Sequence, residues 1–197
     1  FPKFYNAFLN ALPFKQCTQP DGLLNLASYL PQVLNPPDLG PKMYIATGRK
    51  DTHYESGHEF ENTKCAALWH LFDYKDIPNI RQYLAKWAKT NRKQNDFNDY
   101  IHDQKIYLTE PMLEELYEKY NVRAYQVYQN PGDAVFIPAG CAHQVLNLSN
   151  CIKVATDFIS PERTLQCMHI AKEFSKLPRL HPRNGDIVQT ENHILYS

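Results

Sequence analysis

The run from Gly132 to Phe158, Gly-Asp-Ala-Val-Phe-Ile-Pro-Ala-Gly-Cys-Ala-His-Gln-Val-Leu-Asn-Leu-Ser-Asn-Cys-Ile-Lys-Val-Ala-Thr-Asp-Phe, constrains the fold more than any other part of this chain. Three short apolar runs, Ala134–Ile137, His143–Leu148 and Cys151–Phe158, are separated by Pro138-Ala139-Gly140 and by Ser149-Asn150. Runs this short, rich in β-branched and large apolar residues and punctuated by Pro and Gly, read as strands joined by tight turns. His143 opens the middle run. Strand alternation then puts His143, Val145 and Asn147 on one face and Gln144, Leu146 and Leu148 on the other. A histidine at the mouth of a strand in a small β barrel can hold a metal. A lone histidine beside a turn can equally be an exposed or structural residue, and spacing leaves both readings open.

The remaining chain supplies helices around such strands. Phe4, Phe8 and Leu12 recur at helical spacing before Pro13, and Leu23–Leu30 is a second short helical candidate closed by Pro31. Lys42–Thr47 reads as a strand, and so does Cys65–Phe72. Between them Gly48–Lys64 is polar and without apolar periodicity, the composition of a loop. Ile77–Ala88 carries Ile80, Leu84, Trp87 and Ala88 on one helical stripe. Ile106–Leu108 is a short strand candidate. Thr109 is placed to cap a helix reaching Tyr120, with Pro111 in its first turn. Ala124–Gln129 is a strand leading into the Gly132 run, and Ser160-Pro161 starts a helix to about Leu177. Short strands with Pro/Gly turns and flanking helices predict an all-β core, a double-sheet jelly roll.

Composition excludes some functions. Lys+Arg and Asp+Glu are both 21, so the balance gives no electrostatic case for direct nucleic-acid binding. No run of 18 apolar residues is present, so no membrane-spanning helix or membrane contact is expected. Cys17, Cys65, Cys141, Cys151 and Cys167 are scattered, with no C-x-x-C pair, which argues against a disulfide framework and a structural zinc site. The chain begins without Met and is expected to be a fragment of a longer protein.

A non-haem iron oxygenase needs two histidines and one carboxylate on one face of the metal. His143 can be the distal histidine. An H-x-D/E pair puts both side chains on one strand face, and the chain has one match, His53-Tyr54-Glu55, which lies in the polar loop. His58-Glu59 and His102-Asp103 are adjacent pairs that would point to opposite faces. Trp69 and Phe136 read as core rather than site.

The Gly132–Phe158 run, with Ala66–Phe72, Ile101-His102-Asp103-Gln104, Leu39–Tyr44 and Asp21–Ser28, resembles a JmjC domain. More narrowly it is similar to the branch of JmjC histone demethylases that acts on lysine nine of histone H3 and includes the hairless corepressor. The similarity runs, with gaps, from Asp21 to about Leu177. It implies a double-stranded β-helix, the cupin-like JmjC barrel. It also implies one domain over 1–197: a helical lead-in at 1–41, a jelly roll at 42–158 with a helical insertion at about 73–123, and a C-terminal helix and tail at 159–197. Fe(II) and 2-oxoglutarate are the implied cofactors, with oxidative removal of lysine N-methyl groups as the reaction. The implied partners are the histone H3 tail and chromatin-associated proteins in the nucleus. His143 is then an iron ligand, with His53 and Glu55 as the other two. Lys153, Asn147 and Thr156 are candidates for the 2-oxoglutarate pocket, Lys153 because a cation suits its distal carboxylate.

The chain departs from that branch at one place. There an H-x-D strand and then an apolar strand follow the Lys-Met-Tyr strand; here Met43-Tyr44 leads through the polar stretch directly to Trp69. Three readings follow: His53 and Glu55 replace the usual pair, the domain is an inactive corepressor or scaffold module, or the chain is a truncated or spliced product without that segment.

Overall fold

In the computed structural model the described residues are 2–48, 65–182, 184–185 and 189–196. They form two compact units, one of Phe1–Tyr44 with Ile152–Ser197 and one of Ile45–Cys151.

The second unit is built on three strands, β2 (Ala67–Leu71), β3 (Tyr125–Gln129) and β4 (His143–Asn147). They lie in the order β3-β2-β4, both pairs antiparallel. Strand β2 is central because it is the most apolar of the three and is covered on both sides of the ladder. One of its faces carries Leu68 and His70. These stand opposite Tyr128 and Gln126 on β3 and opposite Leu146 and Gln144 on β4. The other face carries Ala67, Trp69 and Leu71, with His143 opposite Leu71 and Val145 opposite Trp69. Leu68 and Leu146 are buried, so the His70 face is the core face, whereas Tyr125 beside Leu71 is exposed.

Two helices complete this unit, α3 (Ile77–Thr90) and α4 (Glu110–Tyr120). Of the stripe expected on α3, Ile80, Leu84 and Ala88 are buried, together with Ile77 and Tyr83, whereas Trp87 is only half-buried. Pro lies in the first turn of each helix, where its missing N–H costs no hydrogen bond. Thr109 sits at the α4 N-cap with extended backbone but makes no side-chain capping bond. Phe72, Ile80, Tyr83, Leu84, Leu108, Leu116 and Val122 close into one core cluster.

In the first unit α1 (Pro2–Ala11) stops before Pro13 as its spacing predicts. A single turn, α2 (Lys15–Thr18), follows. The helix expected over Leu23–Leu30 is reduced to one 3-10 turn, Leu26–Tyr29. Asn25 explains the change: its Oδ1 accepts from the N–H groups of Ala27 and Ile159, favouring a local cap over a continued helix. Strand β1 (Lys42–Ala46) pairs with β5 (Cys151–Ala155) in a two-stranded sheet that lies mostly in this unit. The C-terminal part holds α5 (Thr164–Ser175) after a 3-10 turn at Pro161–Arg163, and α6 (Thr190–Tyr196).

Two expected strands are absent. Ala134–Ile137 is irregular, held at its start by a turn in which Asp133 Oδ2 accepts from Asn130 N–H. Ile106–Leu108 is irregular too, because the Gln144 side chain takes both backbone groups of Leu108 that a ladder partner would have satisfied. Phe136 is 40% exposed and is not a core residue; without a strand at 134–137 no register turns it inward. Among the described residues the strands make two sheets, not a closed barrel.

Candidate metal centre

His143 is the first residue of β4 and is exposed at its mouth. The turn before it is set by Gly140, whose φ is +83°. A Cβ at Gly140 would lie 2.6 Å from Tyr74 Cδ2. Gly140→Ala is therefore expected to cost about 1–3 kcal/mol, as left-handed backbone and a steric clash combine; a lowered urea midpoint with unchanged slope is the check. After the turn, Phe72 N–H donates to Ala142 O at 2.9 Å and seats the start of the strand against β2.

The His143 ring is held at one of its two nitrogens. Nδ1 lies 3.1 Å from Cys141 O. A carbonyl only accepts, so Nδ1 carries the proton and Nε2 keeps its lone pair. A backbone carbonyl holding the second ring nitrogen is the usual partner of a metal-bound imidazole. The ring faces Trp69 across the sheet, centroids 6.0 Å apart with planes tilted by 30°. Trp69 is itself held: Nε1 donates to Gln129 Oε1 at 2.9 Å, and Gln129 Nε2 donates to Asp133 O at 3.1 Å. Trp69 is half-buried on the His143 face of the sheet, which also carries the fully buried Ala67. Alternation along β2 contains this placement, but only the β2–β4 register shows that its face is that of His143.

Of the other candidates, His53 and Glu55 lie outside the described residues. Among the described residues no three His, Cys, Asp or Glu side chains come together as a metal-binding group. A facial triad needs three ligands, and the described residues contribute His143 alone. They do not complete an iron site, and no reaction step is drawn through one.

Asn147 shares the His143 face of β4, and the Cys151 thiol lies 3.9 Å from its Oδ1. Lys153 and Thr156 belong to the first unit. On β5, Ile152 and Val154 are exposed while Lys153 between them is half-buried, so alternation turns Lys153 away from the face those two show to solvent. The Thr156 hydroxyl donates to Leu39 O at 2.9 Å. Beside it, Asp157 N–H donates to the same carbonyl, and Asp157 Oδ2 accepts from Lys42 Nζ at 2.8 Å.

The core face behind His143 holds polar residues that spacing did not single out. His70 is 1% exposed, with Gln126 and Gln144 each 3.4 Å from one of its ring nitrogens. Burial holds the His70 pKa below the ordinary imidazole value, and the charge of Glu110 pulls it the other way. Above about pH 6.5 the ring is neutral in the folded and unfolded chain and adds no pH dependence. Below that value the unfolded chain takes up a proton that the native state resists. Stability therefore falls with pH through the window between the unfolded value and the lower folded one. Urea midpoints measured from pH 7.5 to 5 should show this fall, and His70→Gln should lose the His70 part of it.

A family profile described as "JmjC domain, hydroxylase" matches residues 45–158. The human protein named lysine-specific demethylase 3A is 34% identical over 245 residues, covering 100% of this chain and 18% of the relative. Lysine-specific demethylase 3 of Drosophila melanogaster is 34% identical over 246 residues, covering 100% of this chain and 29% of the relative. Lysine-specific demethylase JMJ26 of Arabidopsis thaliana is 29% identical over 264 residues, covering 100% of this chain and 30% of the relative. The chain thus spans less than a third of the length of these relatives. Each matched span is longer than the 197 residues of the chain, so these relatives carry internal residues that it lacks. The profile match and the strand placement of its most diagnostic run lead to one conclusion: the chain belongs to the JmjC domain family.

Proposed function

We propose that this chain is the JmjC domain of a nuclear histone lysine demethylase that uses Fe(II) and 2-oxoglutarate and acts on methylated lysine nine of histone H3. The carrying observation is His143: a strand-mouth imidazole, its Nδ1 proton given to Cys141 O, its Nε2 lone pair taken by no described residue, its ring beside Trp69. Similarity to proteins named lysine-specific demethylases supports the substrate class. In this reading the strands belong to a double-stranded β-helix, and His53 and Glu55 are the remaining ligands. Asn147, Lys153 and Thr156 would line the 2-oxoglutarate pocket, with chromatin-associated proteins as further partners and the hairless corepressor in the same branch. Iron with 2-oxoglutarate, when bound, supplies the oxidation of the N-methyl group. The chain's own part is to hold His143 in one tautomer and to present an apolar, aromatic wall made by Trp69, Leu71 and Val145.

The test is succinate release from a trimethyl-, dimethyl- or monomethyl-lysine-nine H3 peptide with Fe(II) and 2-oxoglutarate, with formaldehyde measured in parallel. Coupled release of both products supports the proposal. Absence of succinate with every peptide overturns it and leaves an inactive corepressor or scaffold module.

A further inference from the structure

We propose that Gln144 and His70 are positioning residues that fix His143 by locking the mouth of β4 to the backbone of Leu108. The proposal rests on His143 being the working residue of the site. Gln144 Oε1 accepts from Leu108 N–H at 2.8 Å, and Gln144 Nε2 donates to Leu108 O at 2.8 Å. This pair of bonds decides the amide orientation, since the flipped amide would set donor against donor and acceptor against acceptor. The second Nε2 hydrogen is then directed to His70 Nδ1, 3.4 Å away. His70 Nδ1 is an acceptor, so the neutral ring carries its proton on Nε2. Gln126 Nε2 lies 3.4 Å from that nitrogen, and exchanging the nitrogen and oxygen of this amide gives the His70 Nε2 proton its acceptor.

His143 and His70 thus hold opposite tautomers on opposite faces of one sheet. Leu108 is 6% exposed and adjoins the N-cap of α4, so the lock ties the helical layer to the residue next to His143. A proton on His70 Nδ1 would face an amide whose only oxygen is already taken by Leu108 N–H. Gln144 would have to turn and drop both Leu108 bonds, so the lock holds only while His70 is neutral. Among the described residues the Glu110 carboxylate in the first turn of α4 is the charge that acts on His70, and the Tyr128 phenol stands opposite Leu68 on the same face of the sheet. The Glu110 charge raises the His70 pKa and so acts against the lock.

Long-range 1H–15N correlation spectra of the chain read the His70 nitrogens directly. Nε2 protonated with Nδ1 bare is the expected result, and a protonated Nδ1 at neutral pH overturns the proposal. Gln144→Met removes the bonds to Leu108 and the contact with His70 at similar volume. The ring-proton shifts of His143, set by the Trp69 ring 6.0 Å away, should move toward solvent values. Mn(II) affinity should fall about 10–100-fold, the usual loss for a residue that orients a ligand. Leu146→Val weakens the same strand from its buried face and should leave the His143 shifts in place. Unmoved His143 shifts in Gln144→Met overturn the positioning role whatever the metal does. Moved shifts in a chain that takes up no Mn(II) support positioning while removing the metal reading. Should Gln144→Met not fold, Gln144→Glu serves: it keeps the bond from Leu108 N–H and turns an acceptor to His70, which should then protonate at Nδ1. Failure to protonate overturns the network.

Discussion

His143→Ala is expected to lower the affinity of the chain for Fe(II), or for Mn(II) as a stable substitute, by more than about 100-fold. Residues that merely orient a ligand cost about 10–100-fold, and in the proposed reading this change removes a ligand itself. Succinate release should fall with it, while the urea midpoint should change little, because the ring is exposed and its one bond among the described residues is to a carbonyl two residues away. Titration calorimetry and a denaturation curve on the same preparation give both readings. Metal affinity equal to that of the unaltered chain would remove His143 from the centre and with it the proposed chemistry. Because the change is at the surface, loss of binding without loss of fold separates a ligand from a structural histidine.

Leu116→Ala is the largest expected effect on stability, a loss of about 2–5 kcal/mol in urea unfolding. Leu116 is 0% exposed and packs in the cluster of Phe72, Ile80, Tyr83, Leu84, Leu108 and Val122. Truncation leaves a cavity that α3 and α4 cannot close without moving, and interior packing resists such collapse. Leu108 lies in the same cluster, so the damage reaches the residue that Gln144 holds. An unfolding midpoint within about 0.5 kcal/mol of wild type would show this cluster to be loosely packed, contrary to the burial of its members.

Helices α3 and α4 were legible because their signals are local. Ile77, Ile80, Leu84 and Ala88 repeat within one segment, and Pro in the first turn marks where α3 and α4 begin. Ile106–Leu108 misled for the opposite reason. Three residues carry too little period to distinguish a strand from a segment whose backbone bonds go to a distant side chain. The partner, Gln144, is 36 positions away. Trp69 misled as well. A large apolar residue in an apolar strand reads as core, yet its indole N–H is bonded to Gln129 and its ring lies beside His143. His53-Tyr54-Glu55 falls outside the described residues, so of the three proposed ligands the structure describes His143 alone.

What the chain determined by itself is the run around His143. Gly140 supplies the turn, alternation sets the faces of β4, and the Nδ1 bond to Cys141 closes within two residues. Each of these depends on neighbours in sequence, where backbone sterics and side-chain period act without help from the rest of the fold. Tertiary structure alone decided the rest. It placed β2 between β3 and β4, put Trp69 beside His143, and set Gln144 against Leu108 and His70. Register is fixed by which faces can be buried together, a property of several strands at once that no single stretch contains.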